Sequence, residues 1–166
     1  MESRIRAALP SDAPAVAAIY NQGIDERTST FETRARSNEE MLKTLAGDYP
    51  MLVAFGENDM VLGWAGLSAY RARQCYSGIA EFSIYIDRPA RGRGIGGRLL
   101  SALIETAESR AYWKLLSRIF LFNTASRAMC RACGFREVGI YERHSRLDGI
   151  WLDVVIVERL IPSNIT

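Results

Sequence analysis

Histidine and cysteine are scarce here: His144 is the only histidine in 166 residues, and Cys75, Cys130 and Cys133 are the only cysteines. None of them stands at a spacing that suggests zinc, so no metal is expected. An odd set of three cysteines makes no disulfide framework, and reduced thiols in a cytoplasmic protein are the simplest expectation. A cysteine nucleophile would want a histidine partner, yet His144 lies late in the chain on a strand pattern of its own. No apolar run approaches the roughly 20 residues of a membrane span. The opening Met-Glu-Ser-Arg-Ile-Arg has no apolar signal core, so no membrane association is expected. A net charge of +2 gives no electrostatic footprint for nucleic acid. Linkers, repeats and low-complexity segments are also missing, which predicts a single domain over residues 1–166. With 48% hydrophobic and 24% charged residues, the composition is that of a globular protein.

What the chain does have is a strand that runs straight into a glycine-rich helix start. In Glu81-Phe-Ser-Ile-Tyr-Ile-Asp87, the apolar Phe82, Ile84 and Ile86 alternate with Glu81, Ser83, Tyr85 and Asp87, the period of a half-buried strand. Pro89 ends it, having no N–H for a sheet ladder. Arg91-Gly-Arg-Gly-Ile-Gly-Gly97 follows, then Leu99, Leu100, Leu103, Ile104 and Ala107 at helical spacing. Free N–H groups and the positive dipole end make such a helix start an anion site, and Arg91, Arg93 and Arg98 add charge around it. The implied ligand carries a pyrophosphate.

Three families of phosphate loop compete for this stretch. A P-loop needs Gly-Lys-Ser/Thr, and Gly97-Arg98 excludes it. Gly92, Gly94 and Gly97 match the dinucleotide pattern G-x-G-x-x-G, but the next strand ends in Arg118-Ile-Phe-Leu-Phe with no acid for a ribose. The third is R-x-x-G-x-G, here Arg91, Gly94 and Gly96, the loop of the GNAT superfamily of N-acetyltransferases. Asn123-Thr-Ala-Ser126, followed by Cys130-Arg-Ala-Cys-Gly134-Phe135, resembles that superfamily's second cofactor stretch. Further segments narrow the resemblance. Gly63-Trp-Ala, Ser68-Ala-Tyr-Arg-Ala-Arg73, Ala80-Glu-Phe-Ser-Ile-Tyr85 and His144-Ser-Arg-Leu-Asp-Gly149 are similar to the phosphinothricin acetyltransferase family, which includes methionine sulfoximine and arsinothricin acetyltransferases.

Element by element, a strand is predicted over residues 5–9 and a helix capped by Ser11 that reaches about Ile24. Ser37 with Glu40 forms a capping box for a second helix ending near Gly47. Strands over 51–55 and 61–67 flank the turn Gly56-Glu-Asn-Asp, and strand 79–87 leads to the glycine loop and its helix. Strand 113–122, helix 124–133 and strands 137–144 and 151–160 complete the chain, with Asp148-Gly149 as a hairpin turn. The order βααβββαβαββ is α+β. Its resemblance implies the GNAT fold, a mixed, mostly antiparallel central sheet of about seven strands with four helices.

The same resemblance implies acetyl-CoA as co-substrate. Its pantetheine arm is expected to complete the ladder of Ile84, Tyr85 and Ile86 as an added strand would, and its pyrophosphate to lie on Arg91, Gly92, Arg93, Gly94, Ile95, Gly96 and Gly97. Asn123 and Ser126 are expected nearby, although a helix N-cap explains Asn123 equally well. The activity implied is N-acetylation of a small anionic amino acid with a tetrahedral, oxygen-bearing side chain: phosphinothricin, arsinothricin, methionine sulfoximine or methionine sulfone. Such an amine must lose a proton before it attacks, and Glu81 is the expected base. Cys130 stands where relatives carry Tyr or His; it is either the acid that protonates the leaving thiolate or a packed small hydrophobe. Arg71 and Arg73, two apart, are the expected clamp on the tetrahedral group. Phe31 and Tyr85 are expected to wall the acceptor, with Arg146 at a position where relatives often have Lys. The family also implies a homodimer. Peptide N-acetylation and non-enzymatic acetyl-CoA sensing are the rival functions.

Overall fold

The computed structural model describes residues 2–166, and its element order is the one read from the sequence. It runs β1 (Arg4–Ala7), α1 (Ala13–Glu26), α2 (Asn38–Leu45), β2 (Met51–Phe55), β3 (Val61–Ala69), β4 (Ile79–Ile86) and α3 (Ile95–Ser109). There follow β5 (Lys114–Phe120), α4 (Thr124–Ala132), β6 (Arg136–Leu147) and β7 (Ile150–Leu160). The seven strands form one sheet in the order β1-β2-β3-β4-β5-β7-β6. All neighbours are antiparallel except β4 and β5.

Local chemistry accounts for the elements. The capping box of α2 is present in both directions: Glu40 N–H donates to Ser37 Oγ at 3.1 Å, and Ser37 N–H to Glu40 Oε2 at 2.7 Å. At α1 the expectation fails, because Ser11 lies in a 3-10 turn that precedes the helix. Asp12 ties down this end instead, accepting Leu9 N–H at 2.7 Å and the Arg6 guanidinium at 2.7 Å. The Arg6 hydrogen bond holds the Asp12 carboxyl below the usual carboxylate range, against the opposing effect of its burial. Asp148 and Gly149 both have positive φ, 50° and 81°, which gives the hairpin its two-residue turn. The β6 strand extends three residues past the expected end at His144, to Leu147.

Helices cover both faces of the sheet. On one, Leu99, Leu100 and Leu103 of α3 are fully buried against Ala65, Ala80, Phe82 and Leu115; each such leucine contributes roughly 2 kcal/mol. On the other, Val16 and Ile19 of α1 and Met41 of α2 pack on Val53, Val61 and Trp64. A third cluster joins Phe120, Leu147 and Val154 to Phe31, which lies in the segment that follows α1.

The parallel pair positions the site. β4 meets β5 over three register pairs only, Ile79 with Lys114, Ala80 with Leu115 and Glu81 with Leu116. Beyond Glu81 the strands diverge, because β5 continues along β7 as far as Phe120 paired with Val154. Ser117 Oγ donates to Phe82 O at 3.0 Å where the strands part, and Arg91 Nε to Ile86 O at 3.0 Å at the far end. Between these two bonds the edge of β4 facing the cleft has no strand partner.

Candidate active site

Two cavities open along this cleft and share a wall. The first, about 590 Å³, is lined by Glu81, Tyr85, Arg118, Phe31, Phe120 and Cys130 among others. The second, about 440 Å³, is lined by Ile84, Tyr85, Ile86, Arg91, Gly92, Gly94, Ile95, Gly96 and Gly97, with Asn123 and Ser126. Ile84, Tyr85, Asn123, Ser126 and Met129 belong to both.

The second cavity is built mainly by backbone. Gly92 and Gly94 both have φ of 74°, a left-handed conformation that costs an L side chain, and a Cβ at either would meet nothing within 4 Å. Gly94 is the N-cap of α3 and makes no side-chain cap, and the first turn of α3 holds no acidic residue. Ile95, Gly96 and Gly97 line the cavity, and their N–H groups, in the first turn of α3, have no side-chain acceptor among the described residues, the arrangement an anion needs. The arginines contribute less than the sequence suggested. Arg91 is held by Glu26 at 2.9 Å, and Arg98 donates to Ser3 Oγ at 2.8 Å and to Ser3 O. Arg93 is exposed, makes no ion pair among the described residues and is not part of the cavity wall. Burial opposes ionisation of Glu26, but hydrogen bonds from Arg91 and Arg88 prevail and hold its carboxyl low. Asn123 caps α4, accepting Ser126 N–H at 3.2 Å, and donates to Thr28 O at 3.3 Å, which ties α4 to the end of α1.

The first cavity is built by side chains. Glu81 and Tyr85 lie on the face of β4 opposite Phe82, Ile84 and Ile86, as the alternation predicted. Glu81 is held by Arg118, Oε1 to Nη2 at 2.7 Å. Burial pushes the Tyr85 phenol far above its usual range, so it stays neutral. Its ring stacks on Trp64 at 5.2 Å and meets Tyr20 edge-on at 4.9 Å. Gly23 in α1 makes room for it: a Cβ there would come within 2.6 Å of the Tyr85 ring. Phe31 stands edge-on to Phe120, 4.8 Å between centroids. Cys130 is buried, and burial pushes its thiol up to about 12.

Three expected acceptor residues are not brought together. Arg71 and Arg73 are exposed beyond β3, with Arg71 over the ring of Tyr70 at 5.2 Å, and neither lines either of these two cavities. Arg146 is exposed over Trp151 at 4.5 Å. Arg118, Tyr20 and Met129 line the first cavity without having been singled out, and His144, set aside in the sequence for its late position, lines the same cavity as Cys130. Arg118 lies two residues beyond Leu116, the register partner of Glu81, and so shares its face of the sheet, a relation that only the strand register reveals. No group of His, Cys, Asp and Glu suited to a metal occurs among the described residues. None of their helices is long and apolar enough to cross a membrane.

A strand edge without a strand partner thus lies beside a glycine loop turned onto a helix start with no side-chain cap, with a carboxylate on the adjoining face. Residues 16–135 match the acetyltransferase (GNAT) family, and the chain belongs to it. Among curated relatives it is 31% identical to the L-methionine sulfoximine/L-methionine sulfone acetyltransferase of Pseudomonas aeruginosa, over 95% of this chain and 94% of that one. A phosphinothricin acetyltransferase from Sinorhizobium meliloti, solved with acetyl-CoA, superposes with a TM-score of 0.91 at 31% identity, over 97% of this chain and 89% of that one. A ribosomal-protein-alanine N-acetyltransferase from Brucella melitensis superposes equally well, with a TM-score of 0.91 at 31% identity, over 95% of this chain and 99% of that one. The protein is thus an acetyl-CoA-dependent N-acetyltransferase.

Proposed function

We propose that the protein acetylates the α-amine of a small anionic amino acid of the phosphinothricin and methionine sulfoximine kind. The observation that carries this reading is the first cavity, a chamber of about 590 Å³ that holds opposite charges on Glu81 and Arg118 beside aromatic walls and adjoins the cofactor cleft. Acetyl-CoA, when bound, would supply the activated acyl carbon. The residues of the chain do the rest. Glu81 takes a proton from the acceptor ammonium, directly or through water, which leaves a neutral amine able to attack. The unpaired edge of β4 and the N–H groups of Ile95, Gly96 and Gly97 hold the donor. Phe31, Phe120 and Tyr85 exclude water around the acceptor. Cys130 serves as a packed wall: a thiol pushed up to about 12 is a poor source of a proton for a leaving thiolate.

Acetyl-CoA turnover with phosphinothricin, arsinothricin, methionine sulfoximine and methionine sulfone tests the assignment, with glutamate and a short peptide beside them. Turnover of the tetrahedral analogues but not glutamate is expected. Acetylation of a protein or peptide amine is the second reading, favoured by the likeness to the structure named ribosomal-protein-alanine N-acetyltransferase, and turnover of the peptide alone would establish it.

A homodimer is proposed as well, through the long β6 edge of the sheet. Val138, Ile140 and Tyr141 of β6 and Trp151 of β7 expose large apolar surface there. Light scattering that gives a monomer mass would refute the dimer.

A further inference from the structure

The Glu81–Arg118 pair is a charge pattern in search of its complement. Arg118 is the arginine in the wall of the first cavity, and Arg71, Arg73 and Arg146 all lie outside it. Its contact with Glu81 uses one N–H on one carboxylate oxygen, and the Arg118 side chain is 48% exposed against 23% for Glu81. No other acceptor among the described residues takes its remaining N–H groups. The cavity's other carboxylate, Glu32, is paired with Arg36 at 3.3 Å. An α-amino acid carries an ammonium and a carboxylate on one carbon, and Glu81 and Arg118 offer the opposite two charges side by side.

We propose that Arg118 binds the α-carboxylate of the acceptor and thereby sets its ammonium against Glu81. The inference rests on the proposed function and sharpens it: the substrate must be a free α-amino acid, whatever its side chain. Guanidinium suits the role because its planar fork can keep one N–H on Glu81 while presenting another edge to a second carboxylate. The tetrahedral side-chain group then needs a different partner, so the pair recognises the part common to all the candidate acceptors. Amides, esters and internal residues of peptides lack the required anion.

Calorimetry on the CoA-bound protein tests this, with L-methionine sulfone and its carboxamide as probes. The wild-type protein is expected to prefer the free acid by about 10- to 100-fold, the worth of one hydrogen-bonded charge pair. In Arg118→Met the preference should fall to within about threefold, and Arg118→Lys should restore part of it. Arg118→Gln carries the same expectation if the methionine variant does not fold. In turnover, Arg118→Met should raise KM for the amino acid and leave KM for acetyl-CoA unchanged. An acid preference that survives both neutral variants would overturn the Arg118 assignment and leave the proposed function standing. Failure of the wild-type protein to bind either probe would overturn both.

Discussion

The two halves of the cleft are made of different material. The cofactor half is backbone: the free edge of β4, left-handed Gly92 and Gly94, and the uncapped first turn of α3. The half proposed for the acceptor is side chain, drawn from α1, the segment after it, β4, β5, α4, β6 and β7. A site made of backbone is indifferent to most substitutions and suits a ligand that is constant across a family. A site made of side chains from distant elements changes with single substitutions and suits a ligand that varies. On the proposed function, selectivity for the acceptor would reside in residues such as Arg118 and Phe120, and use of acetyl-CoA in the fold.

The largest test of this division is Glu81→Gln. The amide keeps the shape and can still meet Arg118, but it cannot take a proton. Turnover should fall by about 100- to 10,000-fold, with acetyl-CoA binding by calorimetry unchanged; weakened binding of the donor would show the two halves to be coupled. Gly94→Ala is the converse. Its φ of 74° makes any side chain strained by about 1–2 kcal/mol, so acetyl-CoA affinity should drop roughly tenfold with the acceptor KM unaltered. Gly97→Ala is the control, with ordinary φ and nothing within 4 Å of its new Cβ. Equal losses in the two variants would mean that side-chain bulk, rather than backbone conformation, governs the loop.

The same division explains what could be read in the sequence. Strand alternation, the glycine spacing, the Ser37–Glu40 box and the Asp148-Gly149 turn are local signals, and each predicted its element. They carried the conformation of the glycine loop with them, since a loop motif specifies its own backbone. Ser11 misled because a buried carboxylate one residue on, paired with Arg6 across the first turn, outcompetes a hydroxyl as the anchor of α1. Arg118 was in plain view but meaningless until the register of β5 against β4 was known, for parity alone does not say which face of which strand is shared. Arg71 and Arg73 satisfied a spacing argument, and an exposed loop does not by itself bring such residues to a wall.

Two smaller effects refine the boundary between the halves. Glu26 is the one carboxylate lining the cofactor cavity, and it occupies Arg91. Glu26→Gln should free that guanidinium and remove a like charge from beside the phosphates. Acetyl-CoA affinity is expected to rise about threefold at low salt, with the gain fading as ionic strength increases. A loss of affinity would mean that Glu26 is needed to hold the loop.

Cys130 should show the smallest effect on turnover, and its pH behaviour says why. Burial raises the folded thiol to about 12, so the neutral form is favoured in the folded state. Stability from that preference is fully present below the unfolded thiol value of roughly 8.5 and is lost only as pH rises towards 12. Across pH 6–9 the group therefore has no protonation change to contribute to a rate. Cys130→Ala should cost about 1–2 kcal/mol of stability through the space it leaves, seen as a lower melting temperature. The pH–rate profile should keep its shape, with kcat within about threefold. An alkaline limb that disappears in Cys130→Ala would restore the thiol as the acid and move the chemistry of the leaving group from solvent to α4.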